Sequence, residues 1–147
     1  MRIALGADHA GVVLKEQIKK LLDERGDAYE DFGTHSTESV DYPDYAAKVG
    51  SAVAAGQYDR GILFCGSGIG MAIAANKIHG IRASQVVDEA SARLSRSHND
   101  LNVLSLAARI TAAEEARALV QIFLDTPFEG GRHQRRIDKI SALDTHV

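Results

Sequence analysis

Gly61-Ile62-Leu63-Phe64-Cys65-Gly66-Ser67-Gly68-Ile69-Gly70-Met71 runs from an unbroken apolar stretch into a glycine-punctuated loop and on into the alanine-rich segment Met71 to Lys77. Apolar residues on consecutive positions mark a strand buried on both faces, as in the middle of a parallel sheet. A strand, a glycine loop and a helix in immediate succession let backbone N–H groups approach a ligand closely.

Working outward, the same alternation of short apolar strands and amphipathic stretches recurs on both sides. Before the central strand, Ile3 to Ala7 reads as a strand, and Leu14, Ile18, Leu21 and Leu22 then recur at helical spacing until Gly26. A weaker strand covers Ala28 to Phe32. A polar loop runs from Gly33 to Tyr42, and a helix follows that Pro43 can open and Gly56 can end. Beyond the glycine loop, a strand near Ile81 to Val87 leads to a helix from Glu89 to Arg96, and a fifth strand covers Asn102 to Leu106. Thr111 with Glu114 reads as a capping box for a helix whose apolar stripe is Ala116, Leu119, Val120 and Phe123. The pattern predicts a three-layer, Rossmann-like α/β sandwich: a five-stranded, mainly parallel sheet with helices on both faces. It has no linker or repeat, so residues 1–147 read as one domain, with a final helix from about 132 packing on the body or on a partner subunit.

Composition agrees with that reading and narrows the function. A chain of 147 residues and 15.8 kDa, 45% hydrophobic and 25% charged, has the make-up of a globular domain. One cysteine excludes an internal disulfide framework and a cysteine-based zinc site. No apolar run approaches the ~20 residues of a membrane span. The start, Met1 to Gly6, lacks the apolar region of a signal peptide, and a cytoplasmic location is expected. A net charge of -3 gives no general attraction to nucleic acid or anionic membrane, and neither is expected as a partner. The one basic cluster is Arg132-His133-Gln134-Arg135-Arg136.

In an open α/β sheet, ligands bind beyond the carboxyl ends of the strands. The first strand delivers Asp8 and His9 there, and the central strand delivers Cys65 and the glycine loop. His98-Asn99-Asp100 precedes the fifth strand. Each has an ordinary structural reading: Cys65 as a small buried hydrophobe, Asp8 as a helix cap, His9 as a packed or surface histidine, His98-Asn99 as a helix stop. Arg132 and Arg136, four apart, share one helical face that solvent alone can explain. Their joint presence favours a site. A thiol at a strand end facing a helix N-terminus is placed to ionise, and a thiolate can act as nucleophile or base.

The loop excludes two phosphate chemistries. A cysteine phosphatase needs Arg six positions after the nucleophile, where Met71 stands. A Walker loop needs Gly-Lys-Ser/Thr, where the chain has Gly70-Met71-Ala72. A dinucleotide loop remains as a second reading, an NAD-binding oxidoreductase: Gly66 and Gly68 match its pattern, Met71 replaces its third glycine, and Asp88 lies near the spacing of a ribose-binding acid. A metal site from Asp8, His9, His98 and Asp100 lacks dedicated ligand spacing, and no metal is expected.

The stretches GADHAG from Gly6, DYPDYA from Asp41, FCGSGIGMAIAANK from Phe64, GIRA from Gly80, ARLSRSHNDLNVL from Ala92 and EGGRHQRRI from Glu129, in that order, resemble the ribose-5-phosphate isomerase B family, which also contains galactose- and allose-phosphate isomerases. The likeness extends from Ile3 to about Ile140. It implies an aldose–ketose isomerase of a phosphorylated sugar, most simply D-ribose 5-phosphate and D-ribulose 5-phosphate, with other four- to six-carbon sugar phosphates as alternatives. By that resemblance Cys65 moves the proton between C1 and C2, Ser67 shuttles hydroxyl protons, and backbone N–H groups of Gly66, Gly68, Ile69 and Gly70 form the anion hole. His98 opens the sugar ring, Asp8 and Asn99 bind hydroxyls, Tyr42 lines the pocket, and His9, Arg109, Arg132 and Arg136 hold the phosphate. A homodimer or homotetramer is implied, with His98, Asn99 and Arg109 crossing from a second subunit.

Two departures from the family pattern stand out. Relatives without the cysteine carry a glutamate where this chain has Met71, so Cys65 has no substitute here. Ala90 replaces a usual aromatic residue, and Ser84-Gln85-Val86-Val87 is an unusual run. No cofactor is expected, because the isomerisation is redox-neutral and backbone donors can stabilise the oxyanion.

Overall fold

The computed structural model describes residues 1–144. In chain order the elements are β1 (Arg2–Ala7), α1 (Val12–Arg25), β2 (Ala28–Asp31), α2 (Tyr42–Ala54), β3 (Arg60–Cys65), α3 (Ile69–Ala75), β4 (Ala83–Gln85), α4 (Glu89–Ser97), β5 (Val103–Ala107), α5 (Ala113–Asp125) and α6 (Arg132–Ala142). The five strands form one sheet in the order β2-β1-β3-β5-β4. Every pairing is parallel, so the expected mainly parallel sheet is wholly so.

Strand residues point alternately to opposite faces, and the core divides accordingly. Ile3, Leu5, Ala7, Ile62 and Phe64 pack with Ile18 and Leu22 of α1 and with Leu119 and Phe123 of α5. Ala4, Leu63 and Cys65 pack on the other face with Val49 of α2 and with Met71 and Ala75 of α3. This two-sided burial is why β3 reads as a continuous apolar run, and it turns Cys65 toward the α2–α3 layer.

Local signals fixed several element ends. Gly26 caps α1 at φ 77°, a left-handed conformation that glycine adopts without steric cost, and Pro43 lies in the first turn of α2. Three expectations need correction. Strand β4, at the sheet edge, covers only Ala83–Gln85; the Asn76 side chain brackets its first residue, its amide nitrogen donating to Ala83 O at 2.8 Å and its oxygen accepting from Ala83 N at 2.8 Å. Thr111 does not cap α5. Ala112 stands at the cap, and the turn in which Thr111 N–H donates to Ala107 O draws Thr111 inward, leaving its hydroxyl buried with no partner among the described residues. Asp8 makes no cap of α1, whose cap is Gly11; its Oδ1 instead accepts from Ala10 N at 2.9 Å and Gly11 N at 3.2 Å in the turn before the helix.

The final helix α6 buries only His133 and Ile137 against its own chain. Its Arg132, Arg136 and Ile140 face outward. Among the described residues no helix is long and apolar enough to cross a membrane.

Candidate active site

Parallel register aligns the carboxyl ends of β1 and β3: Ala7 stands beside Phe64, so Asp8 emerges next to Cys65. Cys65 in turn pairs with Ala107 of β5, which brings the following turn to the same edge. The result is a cavity of about 430 Å³ lined by Asp8, Tyr42, Cys65, Gly66, Ser67, Gly70, Arg109 and Ile110.

Cys65 is 5% exposed, and its Sγ accepts a hydrogen bond from Gly68 N at 3.1 Å. The next loop N–H, of Ile69, donates to Ser67 Oγ at 3.2 Å. Gly68 has φ 77°, and a Cβ there would lie 3.2 Å from the backbone of Leu106, so close approach and backbone conformation both select glycine. Two residues that sequence reading did not assign hold the loop from behind. Ser105 Oγ donates to Gly68 O at 2.6 Å, and Gln85 Nε2 donates to Ser67 O at 2.8 Å. Gln85 belongs to the unusual run Ser84 to Val87, which was the only sequence signal for it.

Tyr42, 39% exposed, leans over the start of α3: a Cβ on Gly70 would meet its ring at 2.5 Å. Arg109 lies across Gly66, its Nη1 2.9 Å from where a Cβ would be, and its backbone N–H donates to Gly66 O at 3.0 Å. The expectation that Arg109 arrives from a second subunit is therefore corrected. It follows β5, the sheet neighbour of β3, by two residues, and the register delivers it to its own chain's pocket.

His9, Gly68 and Ile69 flank this cavity without lining it. His9 Nδ1 accepts from Val40 N at 3.2 Å, tying the 33–41 loop to the end of β1. His98, Asn99, Arg132 and Arg136 lie elsewhere. His98 follows α4 and stacks on His133 of α6, with ring centroids 4.1 Å apart and planes 17° from parallel. Glu129 Oε2 stands 3.9 Å from His98 Nε2 and 3.5 Å from His133 Nε2. Burial, with help from His98 and then Arg132, pushes the His133 imidazole below its usual value. Asn99 lines a separate cavity beneath α4 and α6 with Arg82, Ser95 and Leu143. Asp8, His9, His98 and Asp100, considered above as metal ligands, do not converge; among the described residues the three such side chains that lie together are His98, Glu129 and His133. The four-residue spacing of Glu129 and His133 was their only local sequence signal.

A cysteine held by a loop N–H, beside a carboxylate, a hydroxyl and a guanidinium, suits proton transfer on a small anionic substrate. Comparison with known proteins points the same way. Residues 3–140 match the Ribose/Galactose Isomerase family. The chain is 49% identical over 143 residues to ribose-5-phosphate isomerase B of Escherichia coli K12, covering 97% of this chain and 96% of that one. It is 41% identical over 141 residues to D-erythrulose-4-phosphate isomerase of Pectobacterium atrosepticum, covering 95% and 93%. Its fold superposes on ribose-5-phosphate isomerase B of Clostridium thermocellum with a TM-score of 0.97 at 47% identity, over 98% and 97% of the two chains. The chain belongs to the ribose/galactose isomerase family of enzymes.

Proposed function

We propose that the protein is an aldose–ketose isomerase of sugar phosphates that interconverts D-ribose 5-phosphate and D-ribulose 5-phosphate. The observation that carries this reading is Cys65 Sγ, nearly buried on the pocket wall and engaged by Gly68 N–H, with Asp8, Ser67 and Arg109 around it. As thiolate, Cys65 takes the C2 proton of the open-chain aldose, and the electrons move onto O1 to give an enediolate. Ser67 relays the hydroxyl proton from O2 to O1, and Cys65 returns its proton to C1, yielding the ketose. Asp8 accepts a hydrogen bond from a substrate hydroxyl. Arg109, whose side chain lies across Gly66, complements the negative charge.

His98, Asn99, Arg132 and Arg136 act on the same substrate from a second copy of the chain, in a homodimer or larger assembly. In one chain these groups do not line the cysteine pocket, whereas a two-fold interface is self-complementary and can set each group against its counterpart. His98 then opens the furanose ring, and the arginines with His9 hold the phosphate. Subunit mixing tests this. Cys65→Ala and His98→Ala homo-oligomers should each be inactive, and dissociation and reassociation of the mixture should restore activity, because a mixed dimer regains one intact site. A mixture that exchanges subunits and stays inactive refutes the shared site. A panel of four- to six-carbon sugar phosphates tests the substrate, and higher kcat/KM on a four-carbon sugar would replace the pentose reading.

A further inference from the structure

Two peptide planes of the loop after β3 are held from both edges. The plane joining Ser67 to Gly68 presents its N–H to Cys65 Sγ at 3.1 Å and its carbonyl to Gln85 Nε2 at 2.8 Å. The plane joining Gly68 to Ile69 presents its N–H to Ser67 Oγ at 3.2 Å and its carbonyl to Ser105 Oγ at 2.6 Å. We propose that Gln85 and Ser105 are positioning residues for the isomerisation: each clamps one carbonyl from the sheet side and so aims the opposite N–H, Gln85 for Cys65 and Ser105 for Ser67.

A trans peptide is planar, and its C=O and N–H point in opposite directions, so a carbonyl drawn toward the sheet turns its N–H away from it. Unclamped, these planes could turn, because Gly68 stands between them at φ 77° and glycine takes either sign of φ at little cost. Both clamps come from one place. Parallel register pairs Gln85 of β4 with Ser105 of β5, and Ser105 with Leu63 of β3, so the two side chains rise from the sheet face that Leu63 and Cys65 share. Gln85 also packs on the loop: a Cβ on Gly68 would meet its Cγ at 3.2 Å. Ser105 is 0% exposed, so its hydroxyl proton goes to the loop and not to solvent. Neither residue lines the Cys65 cavity, and both act through the loop.

The proposal rests on the reading of Cys65 as the base and Ser67 as the proton relay. An N–H held on Sγ favours the thiolate that takes the C2 proton. An N–H held on Ser67 Oγ occupies one of its lone pairs and orients the hydroxyl for transfer between O2 and O1. Linked hydrogen bonds polarise one another, so a donor on each carbonyl also strengthens the N–H on the far edge.

The test pairs steady-state kinetics with alkylation by iodoacetamide, which reads the thiolate of Cys65 without interference from a second cysteine. Gln85→Met keeps the volume and loses the donor. It should slow alkylation at pH 7 and lower kcat for D-ribose 5-phosphate, each by about three- to tenfold, the worth of one neutral hydrogen bond, with KM within about twofold of wild type. Ser105→Ala should lower kcat by about threefold, because Gly68 O keeps the Ala72 N–H at 3.3 Å, and should leave alkylation unchanged. Gln85 sits on the edge strand and Ser105→Ala deletes a single atom, so neither change threatens the fold. Wild-type kcat and alkylation rate in Gln85→Met overturn the proposal. So does a rise in KM alone, which makes Gln85 a binding group, and so does equal slowing of alkylation in both variants, which makes the two bonds general supports of the loop. If Cys65→Ala retains turnover while Gln85→Met still slows alkylation, the isomerase role of Cys65 fails and the aiming of its thiol stands.

Discussion

Replacing Lys15 by methionine strips the partner from a carboxylate that the fold has largely taken out of water. Lys15 is 0% exposed, its Nζ lies 2.7 Å from Asp31 Oδ1, and it also donates to the carbonyl of Thr34. The Asp31 side chain is only 10% exposed. Breaking a buried ion pair from one side typically costs about 3–5 kcal/mol, because the remaining charge is left uncompensated. Here the low end applies, since Lys19 Nζ still stands 3.2 Å from Asp31 Oδ2 and Gly33 N–H still donates to Oδ1 at 2.9 Å. The expected loss is about 3 kcal/mol, or about 6–12 °C in Tm for a chain of this size. Burial raises the pKa of Asp31, but the Lys15 and Gly33 hydrogen bonds outweigh it and hold the carboxyl below its ordinary value. A depressed carboxylate pKa contributes stability above the unfolded value, near 3.9, and loses it as pH falls through the folded value. The gap between wild type and Lys15→Met should thus be full at pH 7 and shrink below about pH 4. The further change Asp31→Asn in the Lys15→Met background should recover part of the loss, since no orphaned charge then remains. Urea denaturation across pH measures all three, and a Lys15→Met loss under about 1 kcal/mol at pH 7, or one independent of pH, refutes the reasoning. Activity should fall as well: Thr34 and Gly33 are each hydrogen-bonded to Ala7, directly before Asp8.

Thr111→Val keeps the shape of a buried side chain and removes a hydroxyl that has no partner among the described residues, so it should raise stability by about 1 kcal/mol in urea denaturation; a loss of stability would show that the hydroxyl is satisfied in solution. Gly70→Ala should leave stability within about 1 kcal/mol, since alanine suits a helix better than glycine does. The new Cβ would sit 2.5 Å from the exposed Tyr42 ring and displace it at the pocket wall, so steady-state kinetics should give a raised KM for the sugar phosphate, and an unchanged KM would remove Tyr42 from the site.

Short-range physics made most of the frame readable in the sequence. The apolar run of β3 is a direct imprint of burial on both faces, and glycine at the end of α1 and proline at the start of α2 record local backbone demands. The Cys65 loop was legible because strand, glycines and helix are contiguous, so their geometry needs no distant partner. Contacts between segments far apart in the chain were decided only by the tertiary structure. Nothing within a few residues of Arg109 shows that it lies across Gly66; that follows from β5 choosing β3 as its neighbour and from the register of the pair. The same pairing sets Ser105 behind Gly68, and Gln85 reaches Ser67 from the sheet edge. Thr111 carried a valid capping signal that the turn after β5 overrode by burying it one residue too early. His98 and His133, 35 positions apart in the sequence, meet only because α6 returns across the end of α4 and buries His133 there. Local sequence encodes what a segment prefers to be, while the partner it meets is set by packing over the whole chain, where burial and strand register outweigh local preference.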